Sequence, residues 1–268
     1  MYDKFNRRID YLRISVTDRC NLRCTYCMPA EGVVPKSHHD ILSYEKILEV
    51  VNEAISLGIK KVRLTGGEPL VRKGILFLVQ QLKKLPGLEE LTLTTNGVLL
   101  AEMAHSLKKA GIDRINISLD TLDPGKYKEL TRIGDIKNVL RGIEAVIEAG
   151  FENSKINMVL IPGINENEVE AMQAFCSGKG FALQRINHYS LTNIESIDRT
   201  YAAERPLKCE RCNRIRLTAD GKLKPCLFSD IEIPLDFNNL KQSLGSAIQC
   251  KPESGTTNVT RQNWQIGG

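Results

Sequence analysis

The stretch Asp18-Arg19-Cys20-Asn21-Leu22-Arg23-Cys24-Thr25-Tyr26-Cys27-Met28-Pro29 follows directly on an alternating apolar run over residues 11–16. Three thiolates at x3 and x2 spacing on one loop can take three corners of a cubane iron–sulfur cluster, whose usual complement is four. A three-point anchor leaves one iron without a protein ligand. An open coordination position separates catalytic from structural metal centres. The spacing alone leaves two other readings open: three buried structural thiols, or a zinc site without a nearby fourth ligand.

Outward from this loop, the first two-thirds of the chain alternates β-rich runs with amphipathic stretches. Strands are predicted over 11–16, 61–64, 90–94, 114–119, 155–160 and 182–187, and helices over 44–57, 74–85, 99–110, 136–149 and 165–178. Leu57-Gly58, Ala110-Gly111 and Ala149-Gly150 place glycine where a helix C-cap wants it. Repeated βα units with right-handed crossovers build an α/β fold around a parallel sheet, open or curled into a barrel. The polar motifs fall just after strands: the cysteine loop, Thr65-Gly66-Gly67-Glu68-Pro69, Thr94-Thr95-Asn96-Gly97 and Ser118-Leu119-Asp120. In a βα barrel, chemistry gathers at the C-terminal ends of the strands, so the four motifs are expected to share one site.

Composition narrows the class. The chain has 268 residues, 42% of them hydrophobic, enough for one large α/β domain and a small appendage. No apolar run approaches the roughly twenty residues of a membrane helix. The start, Met1-Tyr2-Asp3-Lys4, lacks the apolar core of a signal peptide, and the eight cysteines are then expected to ligate metal in a reducing cytoplasm. The net charge of +5 is modest, and no basic block interleaved with aromatics marks a nucleic-acid surface.

The Cys-x3-Cys-x2-Cys loop, with Tyr26 just before its last cysteine, and the Gly66-Gly67-Glu68-Pro69 motif resemble those of radical S-adenosylmethionine enzymes. The resemblance implies a partial TIM-type βα barrel and a [4Fe-4S] cluster on Cys20, Cys24 and Cys27. Its open iron would be chelated by S-adenosylmethionine, which one electron cleaves to a 5′-deoxyadenosyl radical. It also implies that Gly66 and Gly67 approach the methionine moiety through their backbone, that Tyr26 contacts the adenine through its main chain, and that Ser118 holds the ribose or carboxylate side. Asn187 stands where a methionine packs on the adenine.

Further on, Cys209-Glu210-Arg211-Cys212 and Cys226 form a Cys-x2-Cys-x13-Cys triad, and the chain ends in Gly267-Gly268. Cys250 and His188 are the only nearby candidates for a fourth zinc ligand, and neither sits in a ligand-like pair. This triad and tail resemble those of the GTP 3′,8-cyclase family of molybdenum-cofactor biosynthesis. The resemblance implies a second [4Fe-4S] cluster on Cys209, Cys212 and Cys226 that takes the guanine of GTP. It implies substrate contacts from Arg13, Arg63, Thr94, Lys155, Arg214 and Arg216, a functional role for Gly267 and Gly268 in the pocket, a homodimer, and an external reductant of unspecified identity. Arg13 and Arg63 lie in otherwise apolar strands and should point into the barrel. The division expected is 1–188 for the partial barrel and 189–268 for a C-terminal region that carries the second cluster and the tail.

The chain departs from that family in length. Between the sixth strand and Cys209 it has only a polar linker over 191–208, where the family has a helix and a further strand. Ala182 stands near the position of a phosphate-binding arginine, and Arg185 is the nearest replacement in sequence. These departures bear on the substrate, not on the radical chemistry. Cys176, beside Phe175 on a helical apolar face, reads as core, while Cys250 has no clear assignment. Two other functions stay in view: a two-cluster paralogue acting on another nucleotide or a peptide, and a non-catalytic iron–sulfur electron carrier. The Gly66-Gly67-Glu68-Pro69 motif and Ser118 argue against the carrier, which has no use for a methionine-binding loop.

Overall fold

The computed structural model describes residues 1–34, 36–197 and 201–267. The six expected strands form as β1 (Tyr11–Ser15), β2 (Lys61–Thr65), β3 (Glu90–Thr95), β4 (Arg114–Ser118), β5 (Lys155–Leu160) and β6 (Ala182–Asn187). The expected helices form as α1 (Tyr44–Ser56), α2 (Ile75–Lys83), α3 (Leu100–Ala110), α5 (Ile136–Glu148) and α6 (Val169–Gly178). An additional α4 (Pro124–Thr131) lies between β4 and α5, capped by the Asp123 carboxylate on the Lys126 N–H.

The strands pair in parallel in the order β6-β5-β4-β3-β2-β1, and β7 (Arg214–Leu217) continues the sheet parallel to β1. Then β8 (Lys222–Lys224) and β9 (Ile233–Pro234) follow antiparallel. The seven parallel strands make a partial βα barrel whose open gap lies between β6 and β7. The C-terminal region thus extends the same sheet. It adds α7 (Leu240–Gln249) and the short α8 (Asn263–Ile266).

Alternation along the strands separates core from site, except at strand ends such as Thr95 and Asn187, where consecutive residues reach the cavity. Leu12, Ile14, Val62, Leu64, Leu91, Leu93, Ile115, Ile117, Ile215 and Leu217 face the helices and are fully buried. Val50, Leu78, Leu107, Val139 and Ile143 meet them from α1, α2, α3 and α5, in one continuous cluster. Cys176 belongs to this core, as expected. Gly142 lets α5 close onto the β3–α3 turn, since a Cβ there would lie 2.4 Å from the Gly97 carbonyl oxygen. The opposite phase of the same strands carries Tyr11, Arg13, Arg63, Thr94, Ser118, Asn157, Gln184, Arg214 and Arg216, all on the wall of one internal cavity.

Candidate active site

That cavity has a volume of about 730 Å³ and opens at the C-terminal ends of the strands. Cys20, Cys24 and Cys27 line one side of it, and Cys209, Cys212 and Cys226 line it from the segments around β7. Tyr26, Gly66, Gly67, Thr94, Ser118, Asn187, Arg13, Arg63, Arg214, Arg216 and Gly267 complete the set that the sequence placed there. Lys155 does not: it sits at the start of β5, below the wall, where burial and then Arg114, Arg205 and Arg63 lower its ammonium pKa. Gly268 lies outside the described residues. Ala182 is exposed at the far end of β6. Arg185 is in the wrong phase of the alternation to serve as a replacement, and its guanidinium pairs with Glu204 at 2.5 Å instead.

The Gly66-Gly67-Glu68-Pro69 turn is docked on the segment that leads into the cysteine loop. The Gly67 N–H donates to the Thr17 carbonyl and the Glu68 N–H to the Arg19 carbonyl, both at 2.7 Å. A Cβ on Gly67 would stand 2.3 Å from the Arg19 carbonyl oxygen, so the glycine is required by backbone-to-backbone approach, whatever lies on its other side. Glu68 is buried and ties the turn to the next strand end. Its carboxyl accepts from the Leu70 N–H (3.0 Å), the Thr95 hydroxyl (2.7 Å) and the Asn96 N–H (2.7 Å). Burial pushes its pKa up to about 7 against those donors. Asp120, raised by burial to about 6, accepts from the Tyr26 hydroxyl at 2.6 Å and locks the aromatic of the cysteine loop to β4.

The cationic wall is held as firmly. Arg63 donates from Nε to Thr92 Oγ1 (3.1 Å) and from both Nη atoms to the Asn116 side-chain oxygen (3.0 and 3.1 Å). The guanidiniums of Arg63 and Arg214 each stand 5.5 Å from the Tyr11 ring centre. Arg216 is buried and donates from Nη1 to the carbonyls of Ile266 (3.2 Å) and Gly267 (3.0 Å), which holds the tail in the pocket. Gly267 adopts φ 63°, with Thr65 where a Cβ would go. Several buried polar atoms on this wall have no hydrogen-bond partner among the described residues: Thr94 Oγ1, Asn187 Oδ1, Arg205 Nη1 and Arg214 Nε. A dry core does not leave such atoms orphaned, whereas a polar ligand site does.

The comparisons with known proteins agree with this geometry. Residues 14–176 match the model of the radical SAM superfamily. The GTP 3′,8-cyclase of Petrotoga mobilis is 42% identical over 304 residues, spanning 95% of this chain and 94% of that protein. That of Peptoclostridium acidaminophilum is 46% identical over 277 residues, 88% of this chain and 85% of that protein. The chain belongs to the radical SAM superfamily and, within it, to the GTP 3′,8-cyclase family. The alignment with the Thermodesulfovibrio yellowstonii cyclase covers the whole of both chains over 322 residues, longer than the 268 here, so that relative carries residues this chain lacks. Among solved structures, Streptococcus suis SuiB bound to S-adenosylmethionine superposes with a TM-score of 0.63 at 18% identity, over 82% of this chain and 60% of that one. Native anSMEcpe with bound AdoMet gives 0.63 at 17%, over 91% of this chain and 81% of that one. Both likenesses concern the fold.

The residues present fit the groups that a two-cluster radical SAM protein requires. Burial raises all three thiols of the first triad, Cys27 to about 12, so an isolated thiolate there is costly and a cationic iron core would offset that cost. The Leu22 N–H (3.4 Å) and the Asn96 amide (3.9 Å) already point at Cys20 Sγ, as donors do around cluster sulfurs. At the second triad, burial alone would raise Cys212, but Lys251 and Arg214 outweigh it and bring the thiol below its ordinary value. Among the described residues no three His, Cys, Asp or Glu side chains converge on a single ion, and the thiols line the cavity instead.

Sequence reading missed several residues of the wall. Tyr189, Gln184, Arg205 and Lys251 all line it. Lys251 is 2% exposed and donates to the carbonyls of Arg214 (2.9 Å) and Pro225 (2.7 Å), which clamps the two chain segments of the second triad. A lone lysine in a loop carries no signal of that. Gln184 follows from the β6 alternation once its inward phase is known, whereas Tyr189 lies past the end of the strand and is placed by the loop.

Proposed function

We propose that this protein is a GTP 3′,8-cyclase that converts GTP to 3′,8-cyclo-7,8-dihydro-GTP in molybdenum-cofactor biosynthesis. The observation that carries this reading is the placement of both cysteine triads on one cavity with a wall of arginines. Cys20, Cys24 and Cys27 would hold one [4Fe-4S] cluster, with S-adenosylmethionine against Tyr26, Gly66, Gly67, Ser118 and Asn187. Cys209, Cys212 and Cys226 would hold the other. When bound, the first cluster and S-adenosylmethionine supply a carbon-centred radical that abstracts hydrogen. The chain's own work is binding and orientation. Arg13, Arg63, Thr94 and Arg214 face the substrate, and guanidinium forks match phosphate geometry. Arg63 needs no reorganisation to do so, because Thr92 and Asn116 already fix its plane. Arg216 holds the tail, and Gly267 narrows the pocket beside Thr65. Lys155 acts behind Arg63 as part of the positive field. Tyr189, Phe228 and Trp264 on the wall exclude water from the reacting carbons.

Residues 1–188 would generate the radical and supply part of the substrate wall, and 189–268 would carry the second cluster and the tail. The working form we infer is a cytoplasmic homodimer supplied with electrons by a separate reductant. No described helix is long and apolar enough to cross a membrane. The test is anaerobic incubation of iron-reconstituted protein with S-adenosylmethionine, dithionite and GTP, followed by mass spectrometry. An isomer of GTP formed together with 5′-deoxyadenosine is expected. Deoxyadenosine without consumption of GTP would mean that another molecule is the substrate.

A further inference from the structure

The sixth strand brings no cation of its own into the cavity. Its inward phase carries Gln184, whose Nε2 donates to Asn157 Oδ1 at 2.9 Å, and Ile186. Its arginine, Arg185, faces outward to Glu204. The next segment supplies what the strand does not. The Arg205 N–H donates to the Arg185 carbonyl (3.2 Å), and the Arg205 carbonyl accepts from the Asn187 N–H (2.9 Å). Arg205 thereby pairs in parallel with Ile186, as one residue of an added edge strand. Neighbouring residues of an extended segment point to opposite faces. Glu204 is held on the outer face by Arg185, so Arg205 must turn inward, and it lines the cavity. Its Nη1 is buried with no hydrogen-bond partner among the described residues.

We propose that Arg205 is a substrate-binding residue, which takes the phosphate chain of the nucleotide from the gap between β6 and β7. This rests on the reading of the substrate as GTP. Three guanidiniums, Arg63, Arg205 and Arg214, stand on one wall. Burial first, then Arg214 and Arg63, lower the pKa of Arg205 to about 10. Like charges gathered around an enclosed space are stabilised by an anion that accepts from several of them, and a chain of phosphates offers many acceptor oxygens within one ligand. The ribose and base have no such charge, so Arg205 discriminates by phosphate content. The short linker over 191–208 thereby adds a cation to the site from outside the barrel strands.

The experiment measures equilibrium binding of GTP, guanosine and inorganic tripolyphosphate to anaerobically reconstituted wild-type, Arg205→Ala and Arg205→Gln proteins. Both variants should lose at least about tenfold in affinity for GTP and tripolyphosphate and keep guanosine affinity within about twofold, a factor of ten being the scale of one charge-assisted contact. Iron content and circular dichroism should match wild type, since the backbone of Arg205 makes the sheet contact and its side chain does not. Unchanged GTP affinity in both variants would overturn the assignment. So would equal losses for GTP and guanosine, or a loss of iron, which would make Arg205 a support of the second triad. The GTP reading stands or falls separately on the wild type. Tripolyphosphate binding that depends on Arg205, in a protein with no affinity for GTP or guanosine, would keep the assignment and reject that substrate.

Discussion

Glu68 shows how one buried side chain joins three motifs that the sequence spaces far apart. It sits in the glycine turn, receives the Thr95 and Asn96 donors of the next strand end, and so fixes Asn96 beside Cys20. Its pKa lies at about 7 in the folded protein, above its ordinary value of 4.5, because burial disfavours the carboxylate. The folded state therefore holds a proton that the unfolded state has released. Its stabilising contribution is complete below the ordinary glutamate range and is lost as pH rises toward and through about 7. Urea unfolding of the iron-free protein should show stability falling between pH 5 and 7.5, with Glu68 supplying on the order of 3 kcal/mol of the fall. Glu68→Gln should flatten that slope. It should also cost about 1–3 kcal/mol at pH 5, since the amide that replaces one carboxyl oxygen faces a donor. A variant with the wild-type slope would assign the pH dependence to other groups, Asp120 first.

At the scale of elements, the C-terminal α8 is anchored by very little of its own structure. Its four residues make one turn, too short to persist alone. Burial of Ile266 against Leu191 and Phe228, and the two bonds from Arg216, hold it in the cavity. Arg216→Ala removes both bonds and leaves the carbonyls of Ile266 and Gly267 unpaired, a loss of about 1–3 kcal/mol local to the tail. Hydrogen exchange over 263–267 should accelerate by about tenfold or more, while α7 and β7 remain protected. Exchange unchanged in the tail would show that the apolar anchor alone suffices. The elements themselves were legible wherever period-2 and period-3.6 patterns met a cap: β1 to β6 and the five expected helices stand within a few residues of their predicted bounds. Six of the named elements escaped: α4, and after β6 the strands β7, β8 and β9 with the helices α7 and α8. In α4 only a few residues are buried, so its apolar pattern is weak. In β7, the four residues Arg214-Ile215-Arg216-Leu217 hold only two apolar positions, too short a run to announce a strand. The alternation in β7 makes sense only once the cations are seen to face a cavity.

For the whole molecule, the arrangement of two triads on one cavity makes a stoichiometric claim. Anaerobic reconstitution should load about eight irons per chain, two four-iron centres. Replacing Cys20, Cys24 and Cys27 together by Ala should leave about half the iron and abolish deoxyadenosine formation. Replacing Cys209, Cys212 and Cys226 should also leave about half the iron, with some uncoupled cleavage surviving. Metal analysis that found about four irons in the wild type, with zinc making up the rest, would contradict the second cluster. The amino-acid sequence alone carried the ligand types, their loop spacing and the two-residue alternation along β1 to β6, because these are local properties that survive any global arrangement. It could not determine which walls meet. Lys155 shares a phase with the cavity residues yet stands below the cavity, and Arg205 reaches it from a linker without periodicity. Depth along a strand and the path of a loop across the barrel gap depend on contacts between segments far apart in the chain. Only the assembled sheet, with β7 beside β1 and residue 205 beside β6, brings those segments together.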